Sequence, residues 1–159
     1  MNRDRIYFSH SPKPTIGVEA ELFTINKDSL DLCPGVPLVL NEFPGSTHIK
    51  EELLECIIGV NTGICKENSA VRSDLTSRIF EVQKIVEKQN IALISMGTYP
   101  FAHCKDQTLI QSNRYLSFFE RMQWPVKHLI ILSLNVHIGV ESGKKAIAIT
   151  NGMTRYKQC

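Results

Sequence analysis

Two carboxylates, Glu19 and Glu21, stand two residues apart inside Pro14-Thr15-Ile16-Gly17-Val18-Glu19-Ala20-Glu21-Leu22-Phe23, a run that otherwise reads as a short buried strand. Successive strand residues point to opposite faces, so this spacing sets both carboxylates on the same face. Like charges held that close repel, and either one buried without a partner is strongly unfavourable. A chain keeps such a pair where a cation sits between them, which marks Glu19 and Glu21 as ligands of a hard metal ion. The competing reading is a solvated face on an edge strand.

A chain of 159 residues, 43% hydrophobic and 21% charged, is long enough to bury a core and reads as one domain over residues 1–159. Its formal net charge is +2, and its lysines and arginines are scattered among acidic residues. Without a basic stripe to meet DNA, RNA or an anionic membrane, no nucleic-acid partner is expected. The first residues, Met1 to Phe8, carry charge with no apolar stretch after them, and no run approaches the roughly 18 apolar residues of a membrane span. The sequence therefore predicts a cytoplasmic protein with no membrane partner. Five cysteines (Cys33, Cys56, Cys65, Cys104 and Cys159) form an odd set without a C-x-x-C pair, which fits neither a disulfide framework nor a zinc knuckle. Free thiols are expected, and none is assigned a role.

Residues 15 to 25 read as the first strand. The Pro/Gly-punctuated stretch from Asn26 to Ser46 predicts a surface loop. From His48 to Thr62 the pattern is ambiguous: its first half holds helix formers, whereas Ile57, Ile58, Val60 and Thr62 favour a strand. The clearest helix runs from Ser69 to Gln89, with Val71, Leu75, Ile79, Val82 and Val86 on one face, Ser69 as N-cap and Asn90 as the stop. Ile91 to Met96 reads as a short strand and Leu109 to Met122 as a second amphipathic helix. Leu129 to Val140 reads as a further strand, interrupted by Asn135 and His137, and a last helix starts near Gly143. The expected architecture is α+β, with helices packed on one face of a mainly antiparallel sheet.

The polar residues within these strands carry the functional argument. As a strand, 48–62 places Glu51, Glu55, Gly59 and Asn61 on one face, and 129–140 places Asn135 and His137 together. Carboxylates with a few neutral donors on rigid strands are what Mg²⁺ or Mn²⁺ bridging nucleotide phosphates requires, and they point to metal-assisted phosphoryl transfer. A solvated helix face for Glu55 and a strand-edge histidine for His137 are the plain alternatives. Glycine-loop nucleotide signatures are missing: Gly139-Val140-Glu141-Ser142-Gly143-Lys144 is one residue too short for a P-loop and is followed by Lys145. A nucleotide site here would rest on metals held by strand carboxylates, not on glycine amides.

Thr15 to Phe23, Glu55 through Val60-Asn61-Thr62-Gly63-Ile64-Cys65, Gly97-Thr98-Tyr99-Pro100-Phe101, Arg114-Tyr115 and Asn135-Val136-His137-Ile138-Gly139-Val140 follow one another in the order and spacing of a known family. Over residues 14 to 157 the chain resembles the glutamate–cysteine ligase type 2, or carboxylate-amine ligase, family. The resemblance implies a glutamine-synthetase-like catalytic sheet, here partial, and an ATP-dependent ligase of the kind used in glutathione biosynthesis. ATP phosphorylates a carboxylate, an amine attacks the acyl phosphate, and Mg²⁺ or Mn²⁺ offsets the gathered negative charge. Glutamate and cysteine, or another amine, are the substrates by analogy. Carried over by position, Glu19, Glu21 and Glu55 are metal ligands and Asn135 and His137 are metal- or nucleotide-side groups. Arg114 and Tyr115 are the catalytic-pocket residues that hold substrate, since a guanidinium fork binds a carboxylate bidentately. A surface helix arginine is the alternative for Arg114.

Three departures from the family pattern stand out. Gly59 occupies a position where a further glutamate is usual, which depletes the metal site and weakens its strand. Tyr99 replaces the histidine of a G-T-H-P-F motif, and Asn135 the first histidine of H-V-H-V-G, although asparagine keeps an oxygen that ligates or accepts. The third is length: family catalytic domains run further than Tyr156-Lys157-Gln158-Cys159, so this chain reads as the N-terminal half of a ligase domain. Half a sheet leaves an unpaired edge and an apolar face, which predicts a chain that is marginal alone, aggregates, or covers itself as a homo-oligomer. A catalytically inactive remnant that binds Mg²⁺ and nucleotide is the alternative function, and an α+β interaction module without a ligand is a third.

Overall fold

The computed structural model describes residues 8–156; Cys159 and the expected continuation of the last helix over 157–159 lie outside the described residues. The fold is organised on β1 (Thr15–Asn26), long enough to serve three partners. Along one edge it pairs with β3 (Ile57–Asn61), which in turn pairs with the short β2 (Ile49–Glu51). Along the other edge its two halves have different neighbours. Phe23–Asn26 pairs with β4 (Ile91–Ile94), and Thr15–Ala20 with β5 (Leu134–Gly139). Every pairing is antiparallel, giving a five-stranded α+β sheet.

Period-2 alternation explains the core. Val18, Ala20, Leu22 and Thr24 of β1 are buried on one face, and Leu22 joins Ile58 and Val60 of β3 beneath two helices. The first, α1 (Val36–Glu42), corrects the expected 26–46 loop: Val36 and Val39 are completely buried. Its Pro37 sits in the first turn, where a missing N–H costs nothing. Gly35 lies against Thr24, its N–H donating to Thr24 Oγ1 at 3.2 Å, and a Cβ there would meet the threonine side chain at 2.7–2.9 Å. The Pro-Gly punctuation thus marks a helix start pressed onto the sheet.

The second helix, α2 (Asn68–Glu87), buries Val82 and Val86 completely and packs Leu75 and Ile79 at the edge of the same cluster. Ser69 falls inside the helix, with Glu67 at the N-cap position. Asn90 follows the last turn at φ 59°, a left-handed conformation that asparagine tolerates. Asp74 Oδ2 accepts the Gly63 N–H at 2.7 Å, tying α2 to the end of β3.

The ambiguous 48–62 segment is neither one helix nor one strand. Residues 52–56 leave the sheet: Leu54 bridges to Leu109, and the Glu55 N–H donates to Thr108 O at 2.9 Å. This pairing holds Leu109 extended, so α3 spans only Asn113–Met122, followed by the one-turn α4 (Trp124–Lys127). Residues 129–133 are irregular apart from an Ile131–Thr98 bridge, and the strand expected from Leu129 begins at Leu134. The last helix, α5 (Gly143–Met153), is capped by Ser142 Oγ, which accepts the Lys145 N–H at 3.2 Å.

Cover is uneven. Leu134, Val136 and Ile138 of β5 share the helix-side face with Val18 and Ala20 yet are 67%, 54% and 58% exposed, and Ile147 and Met153 of α5 are exposed as well. Among the described residues no helix is long and apolar enough to cross a membrane.

Candidate functional site

The other face of the sheet gathers the polar strand residues. Register places Glu19 between Asn61 of β3 and Asn135 of β5, Glu21 opposite Gly59, and Gly17 opposite His137. Residues directly opposite share a face, so Glu19, Glu21, Asn61, Asn135 and His137 line one surface. His137 Nε2 lies 3.5 Å from Glu19 Oε2, and Asn135 Nδ2 lies 3.4 Å from the same oxygen and 3.0 Å from Ser133 Oγ. Glu21 Oε2 accepts the Ser133 N–H at 2.7 Å. Asn61 Oδ1 is buried with no hydrogen-bond partner.

Glu55 is not brought to this surface. Alternation through Glu51, Glu55 and Gly59 fails because 52–56 is a turn, and Glu55 stands with Cys33, Pro34 and Gln107 near the start of α1, where its carbonyl accepts the Val36 N–H at 3.0 Å. The same turn delivers a residue that sequence reasoning missed, Glu52. Its Oε1 lies 2.7 Å from where a Cβ on Gly59 would be, so its carboxylate fills the space that the glycine leaves. Tyr115 OH, on α3, is 3.3 Å from both Glu52 Oε2 and Glu51 O. The available signal was the glycine itself: a strand position without a side chain beside two carboxylates leaves room for a group from a neighbouring loop.

Electrostatics bind these carboxylates into one unit. Burial, then the negative charges of Glu21 and Glu19, push the Glu52 carboxyl up to about 7, against smaller opposing effects of the Tyr115 hydrogen bond and Arg114. Burial and the Glu52 charge push the Tyr115 phenol up to about 12. Three acidic groups thus face one surface, and the Glu52 carboxyl feels the charges of the other two. Their oxygens are spread along it: among the described residues no three His, Cys, Asp or Glu side chains stand close enough to hold one ion.

Three neighbouring grooves border the carboxylates. The first, ≈ 690 Å³, is lined by Glu19, Asn61 and His137 with the basic side chains of His48 and Lys50. The second, ≈ 460 Å³, shares Lys50 and adds Glu51, Ser112, Arg114 and Tyr115. The third, ≈ 270 Å³, shares Tyr115 and includes Glu21 and Glu52. Arg114 is exposed, its guanidinium 5.2 Å from the Tyr115 ring centre, while the ring itself is buried. Tyr99 lies away from this surface. It is buried edge-on to Phe23 at 5.9 Å, and its hydroxyl donates to Leu30 O, so the tyrosine of the G-T-Y-P-F motif is a core residue here.

Residues 15–157 match the family model described as Glutamate-cysteine ligase family 2 (GCS2). The chain is 33% identical over 149 residues to a protein of Mycobacterium sp. (strain KMS) named "Putative glutamate–cysteine ligase 2-1", covering 94% of this chain and 40% of that one. Proteins bearing the same name without the final numeral in Gloeobacter violaceus and Thermobifida fusca are 33% and 32% identical over 155 and 157 residues, each match covering 95% of this chain. The chain spans about 40% of the length of these relatives.

Proposed function

Because this chain belongs to glutamate–cysteine ligase family 2, we propose that it forms the metal- and nucleotide-facing part of an ATP-dependent carboxylate–amine ligase domain. One observation carries this reading: Glu19 and Glu21 share a strand face with Asn61, whose Oδ1 is buried without a hydrogen-bond partner. Carboxylates beside an unused carbonyl oxygen have the donor chemistry that a hard divalent cation takes. Glu19 and Glu21, with Asn61 opposite Glu19, would supply donors to Mg²⁺ or Mn²⁺, and bound phosphate and water would complete the ion's ligands. Bound there, the ion supplies neutralisation of phosphate charge during transfer.

The chain's own groups divide the remaining work. His137, Lys50 and His48 line the first groove and suit the phosphates of ATP, with Asn135 orienting Glu19 from the nucleotide side. Arg114 and Lys50 give the second groove two positive charges against the one negative charge of Glu51, which suits the substrate carboxylate, glutamate by analogy with the family. Tyr115 donates a hydrogen bond toward Glu52 and separates the second groove from the third. In the reaction the terminal phosphoryl group passes from ATP to a carboxylate oxygen. The amine nitrogen then forms a bond to the acyl carbon, the acyl C–O bond breaks, inorganic phosphate leaves, and the nitrogen gives up a proton.

The direct test is ADP release from Mg²⁺–ATP with glutamate and cysteine present, paired with a Mn²⁺ titration followed by electron paramagnetic resonance. Amine-dependent ADP release supports the ligase. Saturable Mn²⁺ and nucleotide binding without ADP release supports the second reading, a binding form without turnover, which Gly59 at the usual glutamate position favours. Neither binding nor turnover removes both.

A further inference from the structure

A cysteine and a histidine meet away from the carboxylate surface. Cys104 opens the one-turn 3-10 helix Cys104–Asp106 at the rim of the cluster that covers the second half of β1, and His128 directly follows α4. Cys104 Sγ lies 3.2 Å from His128 Nδ1, within reach of a thiol-to-imidazole hydrogen bond, although the two residues are 24 apart in the chain. His128 is itself held in place: its backbone N–H donates to Pro125 O at 3.1 Å, and the Trp124 ring leans on the imidazole with centroids 4.1 Å apart. A sulfur nucleophile, a base within hydrogen-bond reach and a third group that orients the base form the arrangement that activates a thiol. Other described cysteines are poorer nucleophiles. Cys56 and Cys65 are buried, and burial pushes the Cys56 thiol up to about 12 and the Cys33 thiol in the same direction. Cys104 is only half-buried, and Trp124 beside its histidine is 70% exposed. We propose that Cys104 is a modification site, a nucleophilic thiol with His128 as its base, which takes up a low-molecular-weight disulfide as a mixed disulfide. Cys104 Sγ attacks one sulfur of the disulfide RSSR, the new S–S bond to Cys104 forms as the RS–SR bond breaks, and RS⁻ departs. His128 Nδ1 takes the thiol proton and passes it to the departing sulfur, giving RSH. Protein thiol and disulfide become mixed disulfide and free thiol, so no further oxidant is needed, and excess dithiothreitol reverses the exchange. The assignment is independent of the ligase reading.

The experiment is reaction of the full chain with excess 2-hydroxyethyl disulfide at pH 7, quenched with acid and read cysteine by cysteine through peptide mass mapping. A free thiol is only a few per cent thiolate at that pH, so a base that takes its proton has room to speed attack by about tenfold. Cys104 should therefore react about tenfold faster than N-acetylcysteinamide, a fully solvated thiol, under the same conditions. His128→Gln keeps a hydrogen-bonding side chain without the imidazole base, and it should return Cys104 to the rate of the free thiol or below. Cys56 and Cys65 should stay unlabelled in both proteins, which reports an intact core. Cys104 reacting no faster than the free thiol in the unsubstituted chain, or equally fast without His128, would overturn the proposal. The first comparison needs no variant, so it decides the matter even where His128→Gln loosens the fold and labels the buried cysteines.

Discussion

The two halves of β1 differ on a single face. Glu19 and Glu21 occupy the first half, beside β5, and face open grooves; Phe23 and Ile25 continue the same alternation beside β4 and are buried under Leu54, Tyr99 and Ile130. Glu21 and Phe23 are two residues apart, yet one lines a groove and the other is completely buried. The difference lies in what covers each half. The 97–104 and 128–132 segments close over the second half, whereas the first is bordered by β5, whose side chains are largely exposed. The lesson is that one strand supplies both a stable anchor and a chemically charged platform, because rigidity gained at one end holds carboxylates in place at the other.

The sharpest way to break this contrast is at the covered end. Phe23→Ala deletes a fully buried ring that meets Tyr99 edge-on, and it should cost about 3–5 kcal/mol in urea unfolding. A loss below about 1 kcal/mol would show that the second half is not an anchor.

At the uncovered end the expected effect is smaller and depends on pH. The Glu52 carboxyl is raised in the fold to about 7 from an ordinary 4.5, so the folded state binds its proton more tightly than the unfolded chain. This favourable contribution is complete below pH 4.5 and is lost as pH rises to about 7. After allowance for solvent screening, Glu52→Gln should stabilise the protein by on the order of 1 kcal/mol at pH 8 and flatten the change between pH 5 and 7. Mg²⁺ should deliver part of the same gain to the unsubstituted chain. A pH profile identical for both proteins would show that the carboxylates do not form one unit.

Gly59→Glu probes the same end by adding charge. The new Cβ comes within 2.7 Å of Glu52 Oε1, the end of a flexible side chain, so the fold should survive with Glu52 shifted off Tyr115. Mg²⁺ affinity should rise by about tenfold, in line with one added carboxylate ligand. Unchanged affinity would count against a metal site between Glu19 and Glu21. The smallest effect belongs to β5: Val136→Ser, at a side chain 54% exposed, should change stability by less than about 0.5 kcal/mol. A larger loss would mean that this face is covered in solution, which concentration-dependent sedimentation would reveal.

Local periodicity made β1, α2 and the α+β class legible, since alternation and 3.6-residue spacing are written into neighbouring residues. The same alternation put Glu19, Glu21, Asn61, Asn135 and His137 on shared strand faces, and the register agrees. It misled over 48–62, because a strand rule was carried through residues that turn. The turn is held by Leu54 against Leu109 and by Glu55 against Thr108, partners more than 50 residues away. For the same reason α1 was hidden: a Pro-Gly pair reads as a loop unless a buried Thr24 is known to wait beneath it.

By itself, then, the sequence determined the carboxylate pair, the strand faces that carry the other polar donors, and the family. Only tertiary structure decided that Glu52, and not Glu55, joins that pair. It also decided that the three grooves differ in charge and that one half of β1 is covered while the other is open. These depend on which distant segments meet across the sheet, and a local pattern holds no information about contacts that long-range packing alone selects.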